Sequence, residues 1–184
     1  MKRTHLFYRL TGLLLLWRCG AAPLAAQATA PSIFDLLQAG GVSTVVLETD
    51  LDALLARRSS DEEVPAVLRF PDEEGELESW ELDIHVRGNF RRMRCDFPPL
   101  KLNFSKKQLA ARALADHNNL KLVTHCLDNW RGEEYLLREY VIYQMYRRLT
   151  DTSYRTQLVE IEYRNTGAGP SLRRYGVLLE DEKE

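Results

Sequence analysis

Apolar and polar residues alternate most cleanly from Trp80 to Arg87. Trp80, Leu82, Ile84 and Val86 fall on one side, while Glu81, Asp83, His85 and Arg87 fall on the other. A period of two with one apolar face predicts a half-buried strand. The same rule predicts a first strand around Val45, Leu47 and Thr49, and a short one from Pro65 with Ala66, Leu68 and Phe70 on one face. It predicts others at 100–104 (LKLNF), 120–126 (LKLVTHC), 159–163 (VEIEY) and 175–180 (YGVLLE). Between Tyr135 and Leu149 the period lengthens: Leu137, Val141, Met145 and Leu149 recur four apart, and Tyr135, Tyr140, Tyr143 and Tyr146 widen the apolar belt. That spacing predicts one long helix. Thr49 with Asp52, and Ser105 with Gln108, are spaced as capping boxes ahead of two short helices, the second running through LAARALA. Ser32–Gln38 reads as either a helical turn or a loose leader. Gly88-Asn89 and RNTGAGP are turns, and PDEEGELE is an acidic loop. Together these elements predict an α+β fold: a largely antiparallel sheet with a short helix and one long apolar helix packed against it.

The N-terminus changes the picture. Met1-Lys2-Arg3 and Arg9 precede the apolar run LTGLLLLW, followed by the small-residue stretch GAAPLAAQATAPS. This order predicts a secretory signal peptide over 1–28, cleaved after the A-x-A site ending at Ala28. Residues 29–44 then form a leader, 45–180 a single domain and 181–184 an acidic tail. Losing Lys2, Arg3, Arg9 and Arg18 takes the basic count from 25 to 21 against 27 acids, a formal net charge of −6. Such a balance argues against non-specific nucleic-acid binding. No other stretch is apolar enough to span a bilayer, so stable membrane insertion after signal removal is not expected. The expected location is periplasmic or secreted, with an extracytoplasmic protein as a partner.

Two cysteines remain beyond the leader, Cys95 and Cys126. In an oxidising compartment they read as a disulfide, with two buried thiols as the alternative. If LKLNF and LKLVTHC run antiparallel, the two cysteines fall at the same end of the sheet.

The chemistry concentrates in RGNFRRMRCDFPPLKLNF, where Arg87, Arg91, Arg92 and Arg94 lie within eight residues. Guanidinium groups bind phosphate in a bidentate fashion and a strand lysine supplies a point charge. Arg87, Arg91, Lys101 and the rival lysine Lys121 are therefore candidate phosphate ligands, with Glu139 on the long helix placed to orient a lysine. Gly88 and Asn89 would turn the chain so that Arg87 and Lys101 approach one polar surface. The other reading is a solvated face, or pairing with the acidic loop at 72–78. The stretch is no Walker loop, since it lacks the glycines and the G-K-[ST] ending. His85, His117 and His125 lack the short ligand spacing of zinc sites, and no G-x-S-x-G elbow appears. No catalytic residue and no metal ligand is assigned.

RGNFRR, C-x-F-PPLKLNF, LKLVTHC and YLLREYVIYQMYRRLTDTSYRTQLVEIEY together resemble secreted bacterial proteins related to the CotH kinase-like family, over roughly residues 45–180. The resemblance implies a scaffold related to atypical kinases that bind ATP on a two-lobed fold. It implies that Lys101 stands for their strand lysine. It also implies that their catalytic aspartate and metal-binding acid would lie beyond Glu184. Two functions follow as expectations. One is a secreted structural or interaction domain without a cofactor. The alternative is the nucleotide-binding portion of a secreted kinase, with ATP and magnesium as its ligands.

Overall fold

The computed structural model describes residues 30–72 and 74–180. The expected signal peptide, its cleavage site and the acidic tail lie outside the described residues. The fold is mixed α+β, with a predominantly antiparallel sheet and a long helix packed against it.

The strands are β1 (Ser43–Thr49), β2 (Val64–Pro71), β3 (Leu77–Val86), β4 (Leu100–Phe104), β5 (Asn119–Val123), β6 (Thr156–Asn165) and β7 (Leu172–Glu180). They close into a barrel in the order β1-β2-β3-β4-β5-β7-β6. Every neighbouring pair is antiparallel except β1 with β6, which run parallel from Ser43↔Val159 to Thr49↔Asn165. The alternation seen in the sequence is the cause of the register. Trp80, Leu82, Ile84 and Val86 point inward with Leu100, Leu102 and Phe104 beside them, and a one-residue slip would turn Glu81, Asp83 and Lys101 into the core. Trp80 and Phe104 meet edge to face at 6.2 Å.

Two apolar cores result among the described residues. The first fills the barrel and takes in Val45, Leu47, Leu68, Trp80, Leu102, Leu120 and Tyr163. The second lies outside the wall, where Val123, Val177 and Leu179 meet Leu136, Tyr140 and Tyr143 of α5 (Trp130–Leu149). Strands that are apolar on both faces, such as Val177-Leu178-Leu179, are the ones the helix covers.

Ile33–Leu37 forms a helix, α1, rather than a loose leader. Ser32 and Asp35 complete a capping box, and Ile33 and Phe34 are wholly buried in the first core. Both predicted capping boxes are corrected. Asp50, not Thr49, caps α2 (Leu51–Ala56) by accepting from the Ala53 amide, because Thr49 is still in β1 and its hydroxyl donates to the Pro65 carbonyl. Ser105 precedes α4 (Lys106–Ala111) without a side-chain cap bond, and the helix ends before Ala113, whose φ is 56°. The long helix begins at Trp130, one and a half turns before Tyr135, where Asn129 caps it through the Arg131 amide.

Candidate functional site

The stretch after β3 folds as the spacing requires. Gly88 takes a φ of 86°, a left-handed conformation that favours glycine, and the chain then winds into the short helix α3 (Arg91–Arg94). The Arg87 amide donates to the Pro99 carbonyl, so the turn closes back on the start of β4. Cys95 and Cys126 are bonded, with their Cα atoms 4.5 Å apart. Antiparallel pairing of β4 with β5 brings them to one end of the sheet, and Phe97 forms an isolated bridge to Cys126 beside the bond. The disulfide and the antiparallel register are thus one arrangement, as the sequence reading linked them.

Beside this turn is a pocket of about 300 Å³ lined by Arg87, Gly88, Asn89, Arg91, Lys121 and Glu139, with Tyr143 and Tyr154 among its walls. Three of the four candidate phosphate ligands, Arg87, Arg91 and Lys121, therefore share one cleft with Glu139, roofed by the middle of α5. Lys101 does not line it. It stands on the outer face of β4, in register with Lys121 on one side and His85 on the other.

Arg91, Glu139 and Lys121 are already engaged inside the cleft. Arg91 donates to Glu139 at 2.9 Å, and the Tyr143 hydroxyl approaches the same carboxylate at 3.4 Å. Burial, followed by the negative charge of Glu139, pushes the Tyr143 phenol above its ordinary range. The Lys121 ammonium sits 5.5 Å from the centre of the Tyr154 ring. Arg92 leaves the cleft and donates to Asp61 and to the Val86 carbonyl. Glu139 thus holds an arginine of the turn, Arg91, in place on this face.

Next to Cys126 of the disulfide is a group that sequence reasoning discounted. His125 is buried, its ring stacked on Phe97 at 5.1 Å, and neither ring nitrogen has a hydrogen-bond partner. Desolvation, with the Arg174 charge second, lowers its pKa to about 4, so the ring is neutral at ordinary pH. Tyr163, in contact with Phe97 at 4.9 Å, is wholly buried with an unpartnered hydroxyl, and burial pushes that phenol upward. An unmatched buried donor of this kind is not visible in a sequence, because its cost depends on what the fold packs around it.

A second groove, about 620 Å³, runs across the outer wall of β1 to β4 and carries Glu48, Glu81 and Asp83. Among the described residues no cluster of His, Cys, Asp and Glu is arranged to hold a metal ion, and no helix is long and apolar enough to cross a membrane.

The last feature is the outward side of α5. Val141, Ile142, Met145, Tyr146 and Leu149 are exposed, Ile142 at 64% and Leu149 at 80%, and Trp130 at the helix start is 70% exposed. The predicted stripe at Leu137, Val141, Met145 and Leu149 is real as a stripe, but three of its four members face solvent. The inward set is Leu136, Tyr140 and Tyr143. No protein-family model, curated protein or solved structure matches this chain.

Proposed function

We propose that this protein is a secreted interaction domain on a scaffold resembling the CotH kinase-like family, and that it docks through the outer face of α5. The observation that carries this reading is the run of exposed Val141, Ile142, Met145, Tyr146 and Leu149 on one helix. A contiguous apolar surface of this kind marks a contact site, because leaving it in water forgoes burial of about 25 cal/mol per Å². The closed barrel points the same way. Among the described residues it offers no free sheet edge for strand addition, which leaves a partner the side-chain surfaces.

The test is protection of that face in its native setting. An Ile142→Cys variant, with Cys19 replaced by serine, is labelled with an impermeant maleimide as pure protein and in intact producing cells. Slower labelling in cells supports the reading; equal rates overturn it.

A second reading is favoured by the cleft at Arg87, Arg91, Lys121 and Glu139, whose cations and aromatic walls suit a nucleotide. Under it, the chain is the nucleotide-binding part of an atypical kinase, with ATP and magnesium as ligands. The Arg91–Glu139 pair weighs against it, since a carboxylate inside the cleft repels phosphate. Titration with ATP and magnesium separates the two readings: saturable heat that Arg87→Ala abolishes would establish the second.

A further inference from the structure

We infer that the surface covered by α5 is an anionic lipid bilayer, which this protein grips peripherally without spanning it. The inference rests on the reading of α5 as the docking face and names what it docks to.

The first support is the chemistry of the face. Among the exposed residues of α5 the charges are basic: Arg131, Arg138 and Arg148 on the side of the apolar ridge, and Arg147 in line with Tyr140 and Tyr143. Glu134 is half-buried and already paired with Arg138. Interleaved with the arginines are Val141, Ile142, Met145 and Leu149, and the aromatic rings of Trp130, Tyr135 and Tyr146. Apolar side chains to enter the acyl boundary, arginines to meet phosphate, and Trp and Tyr at headgroup level are the composition of an interfacial helix.

A similar mixture stands on α3, which is tied to α5 through Arg91. Arg91 binds Glu139 of α5, and its neighbours Phe90, Met93 and Arg94 are exposed, with Phe90 at 72%. Two separate elements therefore present the same mixture of apolar tips and guanidinium groups.

The second support is the distribution of charge around the barrel. α5 packs over β7, and the ring order places β2 and β3 opposite β7. The outer wall there carries Glu81 and Asp83. An acidic protein thus keeps its basic apolar ridge on one side and acids on the other, which orients it toward a negative plane. The same distribution disfavours a two-fold dimer through α5, because Arg131, Arg138 and Arg148 would meet their own copies with only Glu134 on that side to offset them. It also disfavours head-to-tail stacking into the acidic groove, whose outer surface offers the apolar tips little beyond Pro65 and Val67.

The test uses the purified protein with vesicles of equimolar phosphatidylglycerol and phosphatidylcholine, and with phosphatidylcholine alone. Co-sedimentation is expected with the first, weakening as salt rises, and little with the second. Arg131→Glu with Arg148→Glu should lower the bound fraction about tenfold or more. Ile142→Asp with Met145→Asp should abolish binding while thermal unfolding stays unchanged, and Asp83→Asn on the far wall should have no effect. Failure to bind the anionic vesicles overturns the inference. So does equal binding to neutral vesicles. Self-association in the absence of lipid that Ile142→Asp removes would assign the face to a second copy. If Ile142 is protected in cells but vesicles do not bind, α5 remains the docking face and the occupant is a protein.

Discussion

Arg91 on α3 donates to Glu139 on α5 at 2.9 Å, and this pair ties the arginine-rich turn to the middle of the long helix. The pair decides what the cleft can hold. With its side chains 45% and 27% exposed, it should contribute only modestly to stability. A double-mutant cycle on Arg91→Ala and Glu139→Ala is expected to give a coupling of about 1 kcal/mol or less. A much larger value would mean that the pair is better shielded than its exposure indicates.

Glu139→Gln removes the negative charge but keeps the shape. If the carboxylate is what excludes phosphate, this variant should gain affinity for inorganic phosphate or ATP while the parent shows none. Isothermal titration of both proteins checks it. An absence of heat from the variant as well would make the cleft a structural seam.

The disulfide closes a segment of sequence separation 31 between the turn and the end of β5. Loop entropy for a closure of that size gives about 3–4 kcal/mol in a chain-entropy account. Cys95→Ala with Cys126→Ala should therefore lower the denaturation midpoint markedly without changing the far-ultraviolet spectrum. Urea titration is the measurement. A loss below about 1 kcal/mol would show that the Phe97–Cys126 bridge holds the corner unaided.

How much of this was legible in the sequence follows from where burial is one-sided. Trp80–Val86 and Leu100–Phe104 each have one wet and one dry face, so period two shows in their letters. Barrel closure was not legible, because it depends on the parallel pairing of β1 with β6, across more than a hundred residues. In α5 two apolar faces compete. The stripe at Val141, Met145 and Leu149 is the more regular one, yet the tyrosines at 140 and 143, with their polar tips, are what pack over β7. A helix with apolar residues on both sides does not announce which side the domain takes and which it offers to something else. The site was legible as a cluster of cations near Gly88-Asn89. Its aromatic walls, Tyr143 and Tyr154, and the Arg91–Glu139 pairing arise only when α5 crosses the turn.

His125 sets an acid limit. Its folded-state pKa of about 4 lies below the ordinary 6.5, because burial disfavours the charged ring. Between those values the unfolded chain takes up a proton that the folded one refuses. Stability therefore falls as pH drops from about 6.5 towards 4, and is independent of this group above 6.5. The full effect is about 3 kcal/mol. The groups facing the ring are Arg174, Asp128 and Asp96, and the two acids only partly offset the desolvation. His125→Phe keeps a ring against Phe97 and removes the titration, so its stability should be nearly flat over that window. Urea midpoints at several pH values test this. An unchanged slope in the variant would place the acid sensitivity elsewhere.

Gly132 gives the sharpest test of how α5 is seated. In an ordinary helix interior, Gly→Ala stabilises by up to about 1 kcal/mol, since alanine loses less backbone freedom. Here a methyl group at position 132 would run into the carbonyl oxygens of Leu127 and His125, both backbone atoms well inside contact distance. Those carbonyls cannot swing aside freely. They belong to the corner that the Cys95–Cys126 bond fixes, where Cys126 itself holds a φ of 58°. The helix start must therefore lift away from the corner, loosening Leu136 from Val177 and Leu179 in the second core. Gly132→Ala should cost about 1–3 kcal/mol despite the better helix former, the range for forcing atoms into a packed site. The loss should shrink when the disulfide is removed and the corner can yield. Thermal unfolding of the four proteins in that cycle measures both effects, and a stabilising Gly132→Ala would show that the first turn of α5 is not pressed against the corner.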